Sequence, residues 1–305
     1  MPKSHNAIAR WAFNIRQPLL LEHVEPLVTS LTDDNRPNIV PLSNLLNFLP
    51  KIECDRLLQF RHEDDMRRSL VGRLLIHAFF AAHHDCRWDK LVFSRSETNK
   101  PILVQPAHLR NVSFNISHHG DWVLLVGDTS LESAVRVGVD VMDFQDQPPG
   151  ESFDTFSSGF LEQFSAREMA FMRKAAADPT APLATRNQLR RFYRMWCLKE
   201  SVVKALGVGI DFNLKSFEFT LPVAEPTIQP TLTTAMQVHE PSAEFPEEGW
   251  TFEEALLDPD HCYAIAVQTE MEGAGPMMDG SEITRLTWKE LLQDAVPYPA
   301  QQQFS

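Results

Sequence analysis

The chain has 305 residues, of which 43% are apolar and 23% charged, so it can form one large domain or two of ordinary size. No apolar run approaches the roughly 18 residues of a membrane span, and the N-terminal stretch lacks the apolar core of a secretory signal. The four scattered cysteines form no CxxC pair, which fits reduced thiols. We therefore expect a cytoplasmic protein without a membrane partner.

The net charge of −13 argues against a phosphate-rich or acidic partner, nucleic acid included, but the charge is unevenly distributed. No Lys or Arg lies between Lys215 and Arg285, whereas residues 51–110 and 186–204 are rich in basic side chains. A locally positive region on an acidic protein is typical of a cleft that attracts an anion. Ordinary solvated helix faces are the alternative.

In chain order, the first half predicts one long helix among short strands. The helix runs from Asp64 to His84, where Met66, Leu70 and Leu74 repeat at helical spacing. Strands are predicted at residues 10–16, at both ends of 91–104 with a turn at 98–101, and at 112–117, 122–128 and 135–143.

The second half predicts helices at residues 153–177 and 187–206, the latter ending at the cap Gly207. Strands are predicted at 216–221, 249–257 and 261–269, with a solvated insertion at 221–248. A helix at 284–295 and a flexible tail at 296–305 close the chain. We therefore place the subdomain boundary between residues 143 and 144.

Each half contains a long helix with an Arg-Arg pair near its start, MRRSLVGRLLIHAFF in one and LRRFYRMWCLKESVVKALG in the other. This pattern suggests an internal duplication, and two similar α+β halves would place a cleft between them, where ligand sites are common. The alternative is that two amphipathic helices look alike by chance.

Two carboxylates suggest a metal-assisted site. Asp140 interrupts the apolar strand VRVGVDVMDF, where an unpaired carboxylate would be costly. Glu200 shares a helix ridge with Trp196 and Lys204, since these residues are spaced by four. Two carboxylates on rigid elements are typical of Mg²⁺ sites that act on phosphate esters, and Lys199 and Lys204 would neutralise the phosphates. Taken alone, the Glu200–Lys204 pair fits an ordinary surface ion pair better.

The stretch NVSFNISHHGD places His118 and His119 at the end of a strand. Their distance from any Cys or HExxH pattern argues against zinc. A simple turn and a histidine directed at a phosphate both remain open.

Three motifs together carry a resemblance to a known family: NISHHGD (115–121), VGVDVMD (137–143) and FYRMWCLKESVVKALGVG (192–209). In this order and spacing the chain resembles the 4′-phosphopantetheinyl transferases of the surfactin-synthetase-activating type. Within them it most resembles the animal cytosolic members linked to aminoadipate-semialdehyde dehydrogenase. The family's G-[IV]-D and W-x-x-K-E-[SA]-x-x-K motifs stand at residues 138–140 and 196–204.

The resemblance implies an α+β fold, a pseudo-dimer of two similar α/β subdomains with the active site in the cleft between them. It also implies a holo-[acyl-carrier-protein] synthase that uses coenzyme A as co-substrate and Mg²⁺ as cofactor. Such an enzyme moves the phosphopantetheine arm to a carrier serine and leaves adenosine 3′,5′-bisphosphate. Residues 1–143 would hold the phosphates and adenine of coenzyme A. Residues 144–295 would hold the metal and the carrier protein.

The resemblance also implies residue roles. Asp140 and Glu200 match the Mg²⁺ ligands, Lys204 matches the pyrophosphate-binding lysine, and His118 matches the histidine near the 3′-phosphate. Glu168 matches an acidic position proposed as a base in bacterial relatives. The positions implied to bind coenzyme A are Arg56, Arg95, Ser96, Glu97, Thr98, Asn99, Lys100, Asn115, Ile116, Ser117, His118, Asp140, Glu200 and Lys204.

Two departures from the family pattern stand out. Met142 occupies a place where many bacterial members have an acid, so water or coenzyme A would complete the metal site; the animal-type members share this Met. Asn99 replaces the usual Gly before Lys100 and Pro101, and Asn is tolerant of the positive φ this turn needs.

The implied partners are acyl carrier protein domains of a fatty acid synthase, an aminoadipate-type reductase or another carrier. A monomer suffices, since two fused halves build one site. Because carriers are typically acidic, we expect docking on Arg190, Arg191, Arg194 and residues 171–174. A non-catalytic coenzyme A or carrier-binding module and a Mg²⁺-dependent phosphohydrolase are the alternatives.

Overall fold

The structure is a computed structural model and describes residues 8–24, 40–131, 135–146, 151–174, 182–209, 211–222, 224–232, 235–269 and 278–299. Its strands are β1 (Ile8–Asn14), β2 (Val92–Arg95), β3 (Pro101–Gln105), β4 (Phe114–His119), β5 (Trp122–Asp128), β6 (Val135–Asp143), β7 (Phe217–Thr220), β8 (Ala235–Val238), β9 (Trp250–Asp258), β10 (His261–Thr269) and β11 (Thr284–Arg285). Its α-helices are α1 (Leu21–Val24), α2 (Lys51–Leu57), α3 (Glu63–His83), α4 (Phe153–Ser158), α5 (Ala166–Arg173), α6 (Pro182–Leu206) and α7 (Trp288–Leu291).

The N-terminal half packs the long helix α3 on a sheet with the strand order β11-β1-β5-β4. The pairs β1–β5 and β5–β4 are antiparallel, and β11 runs parallel to β1. Three acidic residues in the first turn of α3 stabilise the helix, because their negative charges interact favourably with the positive end of its dipole. The buried face of α3 brings Leu70, Leu74 and Phe79 into the core of this half.

The C-terminal half repeats this arrangement, with the long helix α6 on the antiparallel sheet β6-β10-β9. The apolar face of α6 joins a core that includes Phe192, Leu198 and Val202. The valines of β6 face the other way, into a third apolar cluster shared by the two sheets. The predicted α+β class is therefore confirmed, and each half places one long helix on one sheet.

The two sheets meet where β4 lies beside β6. Side chains of β4 and the residue before it accept hydrogen bonds from backbone N–H groups of β6: Ser113 Oγ from Val137 at 3.1 Å, and Asn115 Oδ1 from Val139 at 3.2 Å. His119 Nδ1 continues the series by accepting from the Asp143 N–H at 2.9 Å. These bonds satisfy backbone donors at the junction and fix the relative position of the two halves.

Helix α6 approaches β6 most closely at Gly138. A Cβ atom added at this position would lie 2.0 Å from the Ser201 carbonyl oxygen and 2.5 Å from the Ala205 nitrogen. Only glycine permits this backbone contact. The glycine of the G-V-D motif thereby sets the distance between the strand that carries Asp140 and the helix that carries Glu200.

Several predicted elements differ in detail. The helix predicted at 153–177 consists of α4 and α5, because Gly159 ends α4 and Ser165 starts α5 with a capping box completed by Glu168. Within the predicted insertion at 221–248, β8 pairs with β7, so this part is not a solvated linker. The described helices include none that is long and apolar enough to cross a membrane.

The end of the chain returns to the N-terminal half. Strand β11 pairs with β1, and Trp288, Leu291 and Tyr298 lie in the N-terminal core. This packing differs from the predicted division, which assigned residues 284–295 to the C-terminal subdomain as a helix and 296–305 to a flexible tail. Strand β6 differs from it too, since residues 135–143 were assigned to the N-terminal subdomain and β6 pairs with β10 in the C-terminal sheet. Residues 300–305 lie outside the described part of the chain.

Replacing Tyr298 with Phe should lower the free energy of unfolding by about 1–3 kcal/mol, the cost of leaving buried hydrogen-bonding groups unsatisfied. The Tyr298 hydroxyl is within hydrogen-bonding distance of the carbonyls of Leu91 (2.8 Å) and Trp88 (3.2 Å) and of His77 Nε2 (3.0 Å). Urea unfolding measures the change. An unchanged midpoint and slope would show that this hydroxyl does not anchor the chain end.

The Glu253 carboxyl should make a contribution to stability that falls as the pH rises from about 4.5 to about 7, opposite in sign to that of buried His77 and His83, whose pKa values burial lowers to about 4. Burial raises the pKa of the Glu253 carboxyl from 4.5 to about 7, although the Arg10 guanidinium at 3.0 Å opposes the shift. Between these two pH values the folded state holds a proton that the unfolded state has released. The contribution of Glu253 to the free energy of unfolding therefore falls by up to about 1.4 kcal/mol per pH unit. Urea unfolding at pH 5 and pH 7.5 should show that stability changes more favourably with rising pH in Glu253→Gln than in the wild type, because the variant lacks the Glu253 contribution. An equal pH dependence in both proteins would contradict this account.

Candidate active site

A cleft of about 690 Å³ lies between the two halves. The N-terminal half contributes the β2–β3 turn and strand β4, and the C-terminal half contributes the end of β6 and one ridge of α6. Residues lining it from the C-terminal side include Asp140, Met142, Gln163, Trp196, Glu200, Val203, Lys204 and Leu214. The cleft therefore brings together all three motifs singled out in the sequence.

Asp140, Ser117 and Lys204 form a three-membered polar cluster across the junction. Lys204 Nζ lies 2.6 Å from Asp140 Oδ1 and 2.8 Å from Ser117 Oγ, and the Ser117 hydroxyl donates to Asp140 Oδ1 at 2.9 Å. Asp140 and Ser117 are both buried. The other oxygen, Asp140 Oδ2, is also buried but has no hydrogen-bond partner among the described residues. Asp140 thus retains one oxygen that a bound ligand can use.

Glu200 lies one helical turn from Lys204 on the cleft side of α6 and is half-buried. Burial raises the pKa of the Glu200 carboxyl, and the negative charge of Asp140 raises it further. The two carboxylates therefore destabilise each other's charge, and a cation bound between them would relieve this repulsion.

The N-terminal wall supplies basic groups. Desolvation in the cleft lowers the pKa of Arg95 and of Lys100. Burial by the cleft walls lowers the pKa of His118 as well, with an added contribution from the Lys204 charge. Bound phosphate oxygens would stabilise the charged forms of these groups, so the wall is suited to a polyanion.

The C-terminal end of α6 is capped by side chains of the other half. Lys100 Nζ and Asn115 Nδ2 each lie 3.4 Å from the Lys204 carbonyl oxygen, and the Thr98 hydroxyl donates to the Gly207 carbonyl at 3.3 Å. These donors satisfy carbonyls that a helix end leaves free. Asn99 has a φ of 63°, which confirms the positive φ predicted for this turn.

Comparison with known proteins assigns the family. Residues 35–130 match the family model described as "4′-phosphopantetheinyl transferase, N-terminal", and residues 136–266 match that of the "4′-phosphopantetheinyl transferase superfamily". A phosphopantetheinyl transferase of Thraustochytrium sp. is 33% identical over 244 residues, covering 80% of this chain and 76% of the relative. The human L-aminoadipate-semialdehyde dehydrogenase-phosphopantetheinyl transferase is 31% identical over 261 residues, covering 80% of this chain and 78% of the relative. The chain belongs to the 4′-phosphopantetheinyl transferase superfamily.

The predicted family and enzyme class are therefore confirmed. Of the residues predicted to bind coenzyme A in this transferase, most line the cleft, namely Arg95, Thr98, Asn99, Lys100, Asn115, Ile116, Ser117, His118, Asp140, Glu200 and Lys204. Ser96 and Glu97 belong to the β2–β3 turn without lining the cleft, and the Ser96 hydroxyl accepts the Lys100 N–H at 3.0 Å.

Arg56 lies near a smaller pocket of about 110 Å³ beside the cleft, which shares Arg95 and His118 with it. Arg56 Nη1 donates to Glu53 Oε1 at 2.9 Å, and the other Glu53 oxygen pairs with Arg73. Glu53 and Arg73 line the pocket and were not predicted as site residues. No local pattern indicates this pairing, because Arg73 lies 20 residues from Glu53.

Two further residues with predicted roles, Lys199 and Glu168, are buried away from the cleft. Lys199, predicted to neutralise phosphates, is fully buried and donates to the carbonyls of Leu214 and Phe217, each at 2.8 Å. It cannot bind a phosphate in the cleft, so that prediction is wrong. Glu168, carried over as a possible base, is also buried, and its carboxylate lies 3.1 Å from Lys199 Nζ.

The predicted docking arginines also need correction. Arg194 is buried and makes a two-pronged ion pair with Glu254, both contacts being 3.0 Å. Arg191 donates to the Phe171 carbonyl, and Arg190 stacks over the Phe144 ring at 4.2 Å. These arginines hold α6 in place, which excludes Arg194 from a docking surface.

Proposed function

We propose that the enzyme transfers the 4′-phosphopantetheine arm of coenzyme A to a serine of an apo carrier protein and releases adenosine 3′,5′-bisphosphate. The observation that carries this proposal is the meeting of Asp140, Glu200 and Lys204 in a cleft whose opposite wall holds Arg95, Lys100 and His118. Carboxylates on one side and cations on the other are suited to a diphosphate with its counter-ion.

The carboxylates fit a divalent cation. No cluster of three or more metal-binding side chains occurs among the described residues, but the unpartnered Asp140 Oδ2 and the Glu200 carboxylate provide two oxygen ligands. Mg²⁺ prefers such oxygens and completes its shell with water or substrate phosphates. Half-buried Met142 lines the cleft, consistent with a site that coenzyme A completes. When bound, Mg²⁺ would supply positive charge to the phosphate leaving group.

Side chains of the cleft would bind the phosphates and accept the proton of the attacking serine. We infer that Lys204 stabilises negative charge on the diphosphate, because Nζ is already held by Ser117 and Asp140 at the cleft wall. Arg95, Lys100 and His118 would bind the remaining phosphates. The attacking serine must lose a proton, and we propose the Glu200 carboxylate as its acceptor, since this side chain lines the cleft and has a second oxygen besides the one that would bind the cation.

The carrier serine would reach the phosphate through the open mouth of the cleft. The name of the human relative suggests an aminoadipate-type carrier, and a fatty acid synthase carrier would present the same serine chemistry. Both walls of the cleft come from one chain, so we propose a monomer. We also propose that it acts in the cytoplasm.

The test is a mass measurement on apo carrier proteins. Incubation with coenzyme A, Mg²⁺ and the enzyme should add the mass of one phosphopantetheine group to the active serine of at least one carrier. Loss of coenzyme A without carrier would support a phosphohydrolase instead. Binding of coenzyme A with no turnover on any carrier would support a non-catalytic binding module.

A further inference from the structure

Both oxygens of the Glu168 carboxylate have hydrogen-bond partners inside the C-terminal core. Oε2 accepts the Ser165 N–H at 2.8 Å, and Oε1 accepts the Phe219 N–H at 3.0 Å. Oε1 also lies 3.1 Å from Lys199 Nζ, and both side chains are fully shielded from solvent. The Glu168 carboxylate therefore ties together α5, β7 and α6, and a substrate in the cleft cannot touch it.

Lys199 holds a second set of contacts. Its ammonium group donates to the carbonyls of Leu214 and Phe217, at the two ends of the turn that leads into β7, and lies 4.5 Å from the Phe217 ring centre. With Glu168, these three acceptors account for all three of its N–H donors. The position of α6 at residue 199 is therefore fixed on the turn and on α5.

This anchored residue immediately precedes Glu200, and the anchored turn supplies Leu214 to the cleft wall. Successive residues of a helix are about 100° apart, so Lys199 points into the core while Glu200 points into the cleft. A displacement of Lys199 would move Glu200 relative to Asp140 and shift Leu214 with it.

We propose that Glu168 and Lys199 are positioning residues, which hold Glu200 and Leu214 in their places opposite Asp140. Glu168 is then not the catalytic base, an inference that rests on the proposed function. A buried ion pair is suited to this role, because removing one partner leaves an uncompensated charge that displaces its surroundings. Replacing both charges by neutral groups of similar volume removes that driving force.

The experiment is a double-variant cycle of Glu168→Gln, Lys199→Met and the two combined. For each folded variant, kcat on an apo carrier, coenzyme A affinity by calorimetry and the urea unfolding midpoint are measured. Glu168→Gln alone should lower kcat by about tenfold to a hundredfold, the range for an approximately 1 Å misplacement of a catalytic group. The combined variant should lose at least about tenfold less kcat than the product of the two single losses, since residues in contact are not additive.

Glu254→Gln is the matched control. It breaks the buried Arg194–Glu254 pair on the same helix, away from the cleft lining. It should lower the unfolding midpoint while kcat stays within about twofold of wild type, because Arg194 lies six residues before Glu200 and the Lys199–Glu168 pair still holds α6 beside the cleft. The control thus separates an effect of lower stability on kcat from an effect of a displaced Glu200.

Two results would overturn the inference. A folded Glu168→Gln enzyme with wild-type kcat would show that the pair does not position the site. A folded Glu168→Gln enzyme that binds coenzyme A normally but lacks the limb of the wild-type kcat–pH profile set by a base would show that Glu168 acts directly. If the wild-type enzyme modifies no carrier, the proposed function itself fails, and that outcome is recognised before any variant is compared.

Discussion

Replacing Asp140 with Asn should lower kcat by about a thousandfold, equivalent to about 4 kcal/mol of transition-state stabilisation. The substitution removes one of the two carboxylates that face the cleft and the charge partner of Lys204 at 2.6 Å. The amide oxygen of the introduced side chain can still accept the Ser117 hydroxyl, so the fold should be retained. Single-turnover transfer to an apo carrier measures the effect, and urea unfolding confirms folding.

Asp294→Asn is the control for this substitution, because Asp294 is exposed and does not line the cleft. It should leave kcat within about twofold of wild type, as surface changes away from special features do. An Asp140→Asn enzyme that retains wild-type kcat would show that this carboxylate does not take part in the reaction.

Replacing Gly138 with Ala should both destabilise the protein and abolish transfer. The added methyl would lie 2.0 Å from the Ser201 carbonyl oxygen and 2.5 Å from the Ala205 nitrogen, and backbone atoms cannot rotate away. Overpacking of this kind costs about 1–3 kcal/mol or more. Helix α6 would have to move off β6, which separates Glu200 and Lys204 from Asp140. Urea unfolding and carrier transfer measure the two effects.

Gly159→Ala is the matched control, since its Cβ would meet only the Phe156 carbonyl oxygen at 3.7 Å, an ordinary contact. Its φ of −71° suits alanine, so stability and kcat should change little. If Gly138→Ala behaved like Gly159→Ala, the close approach of α6 to β6 would not set the geometry of the site.

The sequence predicts the central part of the site because its signals are local. The spacing of Trp196, Glu200 and Lys204 identifies one helix ridge, and the interrupted valine pattern identifies Asp140 on a strand. The structure brings these groups together. A positive-φ turn at Asn99 was likewise predictable, because few other residues tolerate that conformation.

Other features could not be predicted, because they depend on contacts between distant residues. Periodicity places Lys199 on a helix but does not show that Leu214 and Phe217 carbonyls bind it. The pairing of β11 with β1 joins residues about 270 positions apart, so the terminal segment could not be assigned to the N-terminal half. The same holds for Arg194. A cluster of arginines predicts a basic surface, and nothing in the local sequence shows that Arg194 is buried in an ion pair with Glu254, 60 residues away.

The capping box at the start of α5 is a helix-start signal that the sequence itself contains. The stretch FSAREM contains the S-x-x-E pattern that begins a helix, and it would have divided the predicted helix at residues 153–177. The same pattern predicts that the Glu168 carboxylate accepts a backbone N–H at the start of the helix.

The most direct test of the account is a calorimetric titration of wild-type enzyme with coenzyme A, with and without Mg²⁺, and with Mg²⁺ alone. If Asp140 and Glu200 provide two ligands and the diphosphate completes the shell, Mg²⁺ alone should bind weakly. Coenzyme A and Mg²⁺ should then strengthen each other's binding by the same factor, as linkage requires. Asp140→Asn should remove that coupling. Equal coenzyme A affinity with and without Mg²⁺ would contradict the assignment of the cleft as a joint site for the metal and the diphosphate.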